Sequence, residues 1–319
     1  MAKKGCLGCS FPVTIGVVII FLAIFVIGFL SGPIGQSMFD ITLPSWLSVS
    51  SPHPELPPEV VFHIFGFSVT NSILGAWLTI IVLVGFSYIV TRKPSLIPGR
   101  LQTFLEYVIS SLYNFCKSVA GEENGRRFFP LVATIFLFII INAWLSLLPG
   151  FGSILVHTSH GEAHLLRGAN TDVNVPLAVA IISFVYIEYC GFRSLGIRYM
   201  GKFLNAGQFF KGVGKLFTGK IKAGFSGMFM GFIDMFVGVL EGLSEVIRIV
   251  SFTFRLFGNM TAGEILLLVA TFLIPWLFAL PFYGLEILVG FLQALIFSGL
   301  TLVFLTLAVA SHGHEEEKA

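Results

Sequence analysis

Charge is what this chain has least of. Charged residues fill 11% of its 319 positions and hydrophobic ones 55%, for a mean hydropathy of +0.91. A soluble domain of this size cannot cover its surface with so few charges, which leaves a polytopic membrane protein. Cysteine is scarce as well: Cys6, Cys9, Cys116 and Cys190 are the only four. They make no disulfide framework, and the Cys6-x-x-Cys9 pair lies on a short arm without the βαβ context of a redox motif. The phosphate-binding pattern G-x-x-x-x-G-K-[ST] does not occur, so nucleotide chemistry is not read from this chain. Nor does H-E-x-x-H, and every histidine lies in a loop, at a span margin or in the tail. That argues against an intramembrane protease or acyl transferase. A proton-coupled secondary transporter is the alternative reading, but it predicts inverted repeats, and no internal repeat is visible.

What the chain does have is apolar length. Runs of about twenty residues, the length that crosses a hydrocarbon core, predict helical spans rather than the short alternating strands of a barrel. Phe11 to Leu30 is the first; its apolar core exceeds that of a usual signal peptide, which favours an uncleaved anchor over a cleaved signal. A polar, proline-rich stretch follows. Further spans are expected over Ile73 to Val90, Phe128 to Leu148 and Val175 to Cys190. Leu101 to Val119 repeats its apolar residues at helical spacing and carries Glu106 and Lys117, as a helix on the membrane surface does. Phe225 to Ala279 is too long for one ordinary span and reads as one long tilted helix or two abutting ones. A turn near Pro275 to Pro281 then leads into a last span ending at Ala310. The expected fold is an all-α polytopic membrane protein with about five to six transmembrane helices, a surface amphipathic helix and a long helical hairpin at the C-terminal end. Residues 1–61 form the N-terminal anchor span and outside segment, and 62–319 the membrane core.

Basic residues orient these spans. With the amino terminus inside, the inside segments hold sixteen of the nineteen lysines and arginines, seven of them between Arg193 and Lys222. The outside loops hold Arg167 alone, and Arg248 and Arg255 are intramembrane. This asymmetry follows the positive-inside rule and puts both termini inside. The basic Arg193 to Lys222 segment is read as an orientation signal and a contact for anionic lipid, not for nucleic acid.

Ionisable residues inside a bilayer cost enough that they face a partner or a wet cavity. Glu241, Glu245, Arg248, Arg255 and Asn259 follow one another at spacings of 4, 3, 7 and 4, on or near one helix face. Glu245 and Arg248 can pair locally, which would fix helix register, whereas Arg255 has no acid within a turn and needs a counter-charge from elsewhere. Glu264 lies nine residues on, about 13 Å along a helix. In the last span Glu286 and Gln293 share a face, and a hairpin turn near Pro275 to Pro281 sets Glu264 and Glu286 at similar depth, the outline of a proton relay. An arginine stays charged and carries no proton through, so Arg255 reads as an electrostatic gate facing a carboxylate that this chain does not supply.

The run Arg255-Leu256-Phe257-Gly258-Asn259-Met260, followed by Ala262-Gly263-Glu264, resembles the signature of subunit a of the rotary F-type ATP synthases. So do Asn142 with Leu147-Leu148-Pro149, Asp172-Val173-Asn174-Val175, Leu292-Gln293-Ala294 with Phe297, and the surface helix near Pro94 to Glu106. The resemblance spans roughly Phe62 to Ala310. It implies a non-catalytic stator subunit without cofactor or bound metal, in the membrane sector, next to the rotating c-subunit ring, the peripheral-stalk b subunits and the soluble ATPase. It implies that Arg255 faces the ring carboxylate, that Glu264 and Glu286 line the half-channel open to the outside, and that Gln293 lies close to the arginine. Asn259 and Asn174 match polar channel-lining positions. A bacterial plasma membrane location follows from the same likeness. Glu188, Asp234, Glu241 and Glu245 are candidates for the inside exit. The outside cluster His157, His160, Glu162 and His164 is weighed as a zinc site and read instead as solvated loop histidines.

Overall fold

The computed structural model describes residues 11–39, 57–92, 99–158, 161–202 and 221–310. The Cys6–Cys9 pair, most of the basic segment and the acidic tail fall outside them. In chain order come α1 (Phe11–Ser31), α2 (Pro33–Phe39), β1 (Val60–Ile64), β2 (Phe67–Thr70), α3 (Asn71–Thr91), α4 (Arg100–Ala120) and α5 (Glu122–Ser146). There follow β3 (Leu155–Thr158), β4 (Gly161–His164), α6 (Asn174–Leu195), α7 (Ile221–Leu273) and α8 (Leu280–Ala310). Short 3-10 helices occupy Ala169–Thr171, Gly196–Lys202 and Trp276–Ala279. Six of the described helices are long and apolar enough to cross a membrane: α1, α3, α5, α6, α7 and α8. The chain is an all-α polytopic membrane protein.

Three details were not visible in the hydropathy. The long apolar run is one unbroken helix of 53 residues; no proline interrupts it before Pro275, and nothing else in it removes a backbone donor. The third span starts six residues early, at Glu122, because Glu122 and Glu123 occupy the first helical turn, where acids suit the exposed amides. The segments expected to lie outside form two antiparallel hairpins, β1–β2 and β3–β4.

The chain divides into two compact units, one of residues 1–75, 142–171 and 258–292, the other of residues 76–141, 172–257 and 293–319. In the first, β1 lies against β3 and α1 against the Trp276–Ala279 turn, while α1 leaves nearly all its apolar surface uncovered by the chain. In the second, Phe128 and Val132 of α5, Ile187 and Cys190 of α6, and Leu302 and Leu305 of α8 pack with Cys116 of α4 into one core. The surface helix α4 is thereby docked through its apolar face, while Leu101, Phe104 and Tyr107 stay exposed. In the same unit the Ser183 hydroxyl of α6 meets Thr301 of α8 at 2.8 Å.

Candidate functional site

In the first unit a cavity of about 660 Å³ opens among the two hairpins, the end of α5 and the hairpin of α7 with α8. Its titratable lining is Glu59, His164, Arg167, Glu264, Tyr283 and Glu286, with Asn71, Ser146 and Thr171 beside them. Both carboxylates singled out in the sequence therefore reach one cavity. Glu264, on α7, is half-exposed and paired with Arg167, whose Nη2 donates to its Oε2 at 3.2 Å. Glu286, on α8, is buried, and its carboxylate lies directly on the α7 backbone at Gly263, where a Cβ would collide with it. A glycine here makes the niche that the carboxylate fills. Glu59 closes another side: its Oε2 accepts from the His164 amide at 2.9 Å and from Asn71 Nδ2 at 3.4 Å, tying the start of β1 to the end of β4. The His164 ring meets the Gly152 carbonyl at 2.6 Å.

Behind the cavity, Asn142 Oδ1 accepts from the Asn170 amide at 3.4 Å. The Asn170 side chain is fully buried with both polar atoms unbonded among the described residues. Asn259 is half-buried on α7.

In the second unit α7 carries the basic pair. Arg248 Nη1 meets Glu245 Oε2 at 2.5 Å, and its guanidinium lies 3.7 Å above the ring of Phe304, which stacks with Phe252. Glu245 and Arg248 thus engage each other, as their spacing predicts, and an aromatic face absorbs what remains of the cation. Arg255 differs. It is half-buried, its guanidinium stands 5.8 Å from the Phe252 ring, and among the described residues no carboxylate lies within ion-pair distance. Gln293, on α8, is buried. Asn174 opens α6, its Nδ2 and amide both donating to Oδ1 of buried Asp172, at 2.9 and 3.0 Å. Glu241 and Asp234 are half-buried on α7, and Asp234 Oδ2 has no hydrogen bond among the described residues. Tyr199 donates to Glu188 Oε1 at 3.2 Å, and burial, with Glu188 beside it, pushes its hydroxyl pKa well up. Among the described residues no three of His, Cys, Asp and Glu converge as metal ligands; His160 and the Glu162 side chain lie outside that description.

Sequence reading overlooked Arg167, Glu59 and Gly263. Arg167 did carry a signal, as the one basic residue that the positive-inside count leaves on the other side from the rest. Gly263 appeared only as part of the motif Ala262-Gly263-Glu264, with no role attached, and Glu59 carried no signal, because both roles depend on chain segments far away in sequence.

Residues 73–306 match the family model described as ATP synthase A chain. The chain belongs to the ATP synthase A chain family. It is similar to the ATP synthase subunit a of Gloeobacter violaceus, 32% identical over 242 residues that cover 76% of this chain and 85% of the relative. Similarity to the subunit a of Desulfosudis oleivorans is 30% over 267 residues, covering 82% of this chain and 99% of the relative. An ATP synthase subunit a 1 of Pelobacter propionicus is 31% identical over 235 residues, 74% of this chain and 86% of the relative. The protein is thus a multi-pass, membrane-sector subunit of the F-type ATP synthase, its proton-channel stator part. The family match takes in α4 to α7, nearly all of α3 and most of α8; α1, α2 and the β1–β2 hairpin precede it.

Proposed function

We propose that the chain forms two offset half-channels that load and unload protons on the carboxylates of a c-subunit ring. Protons from outside enter the cavity holding Glu264 and Glu286. They pass to a ring carboxylate, which becomes neutral and turns through lipid. On its return the carboxylate meets Arg255, ionises and releases its proton toward the inside, with Glu241 and Glu245 near the exit. Gln293, Asn259 and Asn174 supply polar lining. Arg255 separates the two paths, since a fixed cation admits the ionised ring site and blocks direct proton passage. Each proton brings about 2.3 kcal/mol per 100 mV of membrane potential, so several are needed for each ATP. The hydrolytic chemistry belongs to the soluble sector, and the b subunits hold the two sectors together. Residues 62–319 are the conducting core, and 1–61 an added anchor. The location is a bacterial plasma membrane, with both termini cytoplasmic.

The observation that carries this reading is the contrast between the arginines of α7: Arg248 is satisfied within the chain, and Arg255 has no acidic partner among the described residues. On this reading its counter-charge is a ring carboxylate of a second molecule. Arg255→Lys keeps the charge but loses the planar fork that can face two carboxylates. The expected result is loss of ATP-driven acidification in inverted vesicles with the complex still assembled. Vesicles that acidify normally would remove Arg255 from the gate.

A further inference from the structure

Arg167 is not used in that scheme, yet it is a permanent cation placed among the acids of the inlet cavity. Its backbone is fixed first. The carbonyl of Arg167 lies so close to Gly75 of α3 that any Cβ there would strike it. The next turn is closed by Thr171, which donates to the Gly168 carbonyl through its hydroxyl at 2.7 Å and its amide at 3.1 Å. From this base the side chain, 11% exposed, reaches in two directions. Nη1 donates to the Pro57 carbonyl at 3.3 Å and Nη2 to Glu264 Oε2 at 3.2 Å. A guanidinium fork can hold a backbone carbonyl and a carboxylate together, whereas a lysine ammonium offers one point of charge. Glu286 is held differently. Its carboxylate rests in the Gly263 niche and has no hydrogen-bond or ion-pair partner among the described residues.

We infer that Arg167 is the positioning residue of the outer proton inlet: it fixes the Glu264 carboxylate at the cavity wall and leaves Glu286 to receive the incoming proton. The two acids then have separate tasks. Glu264, tied to the guanidinium, is a fixed element of the wall. Glu286 is the site of exchange. The titratable groups facing the pair are Glu59 at the entry to β1, His164 at the end of β4 and Tyr283 on α8; each belongs to the wall, and Arg167 alone contacts Glu264 as an ion pair among the described residues. The assignment rests on the proposed reading of Glu264 and Glu286 as the inlet.

The test is proton pumping by the whole complex in inverted vesicles, normalised to the amount of this chain in the membrane. Arg167→Gln is expected to lower the rate by about tenfold, the scale of losing one charge-assisted hydrogen bond. Arg167→Lys should fall between the wild type and Arg167→Gln, a loss of about threefold, because one ammonium cannot hold the Pro57 carbonyl and the Glu264 carboxylate at once. Arg167→Gln combined with Glu264→Gln should be no slower than the slower single variant, because the two act as a unit. The exchange Arg167→Glu with Glu264→Arg should regain rate over either change alone; chain abundance and assembly should stay at the wild-type level in Arg167→Gln, which a purely structural role would not allow. Glu286→Gln should be the slowest single variant and should not be rescued. Wild-type pumping by Arg167→Gln, or losses that multiply in the double variant, would overturn the assignment while sparing the inlet. Wild-type pumping by both Glu264→Gln and Glu286→Gln would overturn the inlet reading itself.

Discussion

Gly263 matters for the volume it leaves empty. Built onto its backbone, a Cβ would fall on the carboxylate of Glu286, which supplies its three nearest contacts. Gly263→Ala is therefore expected to leave the chain folded, since a side-chain tip can swing aside and alanine suits a helix better than glycine. The displaced carboxylate should instead slow proton uptake. The check is two measurements on one preparation, chain abundance in the membrane and ATP-driven acidification; equal loss of both would mean that the glycine serves packing alone. Charge and polarity made Arg255, Glu264 and Glu286 visible in the sequence, because an ionisable residue in an apolar run needs a reason. A glycine in the same run needs none, and the chain has 34 of them. Its partner, 23 residues downstream, comes into contact only when α7 and α8 turn back on each other.

Among the elements, α7 is the largest departure from an ordinary span. Its 53 residues extend about 80 Å, far beyond a hydrocarbon core of about 30 Å, so it cannot lie upright within that core along its whole length. Hydropathy could not choose between one helix and two, because both bury the same residues. Continuity of hydrogen bonding through Glu245, Arg248 and Arg255 chooses, and it keeps those side chains on a rigid rod. The α6–α8 contact is a smaller case. Thr301 Oγ1 already donates to the Phe297 carbonyl at 2.9 Å, so Ser183 is the donor in their pair. In lipid such contacts average about 0.6 kcal/mol and reach about 1.7. Ser183→Ala should lie near the lower figure, since Thr301 keeps its own bond. Thr301→Val should lie nearer the upper, since it strips a buried hydroxyl of its acceptor. Unfolding in mixed micelles of rising SDS content measures both, and the reverse order would contradict the assigned direction of the bond.

For the whole molecule, orientation is the property most directly open to test. Gly152 and Gly99 are both exposed, and a Cβ at either would meet nothing within 4 Å. Cysteines placed there, with Cys6 and Cys9 changed to serine, should react with a membrane-impermeant maleimide from opposite sides, Gly152→Cys from outside and Gly99→Cys from inside. The native thiols should stay silent. Cys116 is fully buried, and burial pushes its pKa up to about 11, so near neutral pH it presents almost no thiolate; Cys190 is fully buried in the same core. Labelling of both new cysteines from one side would overturn the positive-inside assignment.

Sequence alone determined the class, the spans, the family and the identity of the intramembrane charges. Each of these follows from local composition, from hydropathy over a window or from a contiguous motif, and none needs knowledge of what touches what. Tertiary structure alone decided which charges are satisfied. It laid the guanidinium of Arg248, whose pairing with Glu245 the spacing already predicts, against the ring of Phe304, joined Arg167 to an acid 97 residues away, and set Glu286 on the bare backbone of Gly263. Contacts of that kind depend on how loops and helix ends meet across long separations in the chain. A lone charge in the sequence reveals that it needs a partner; only the fold selects which one.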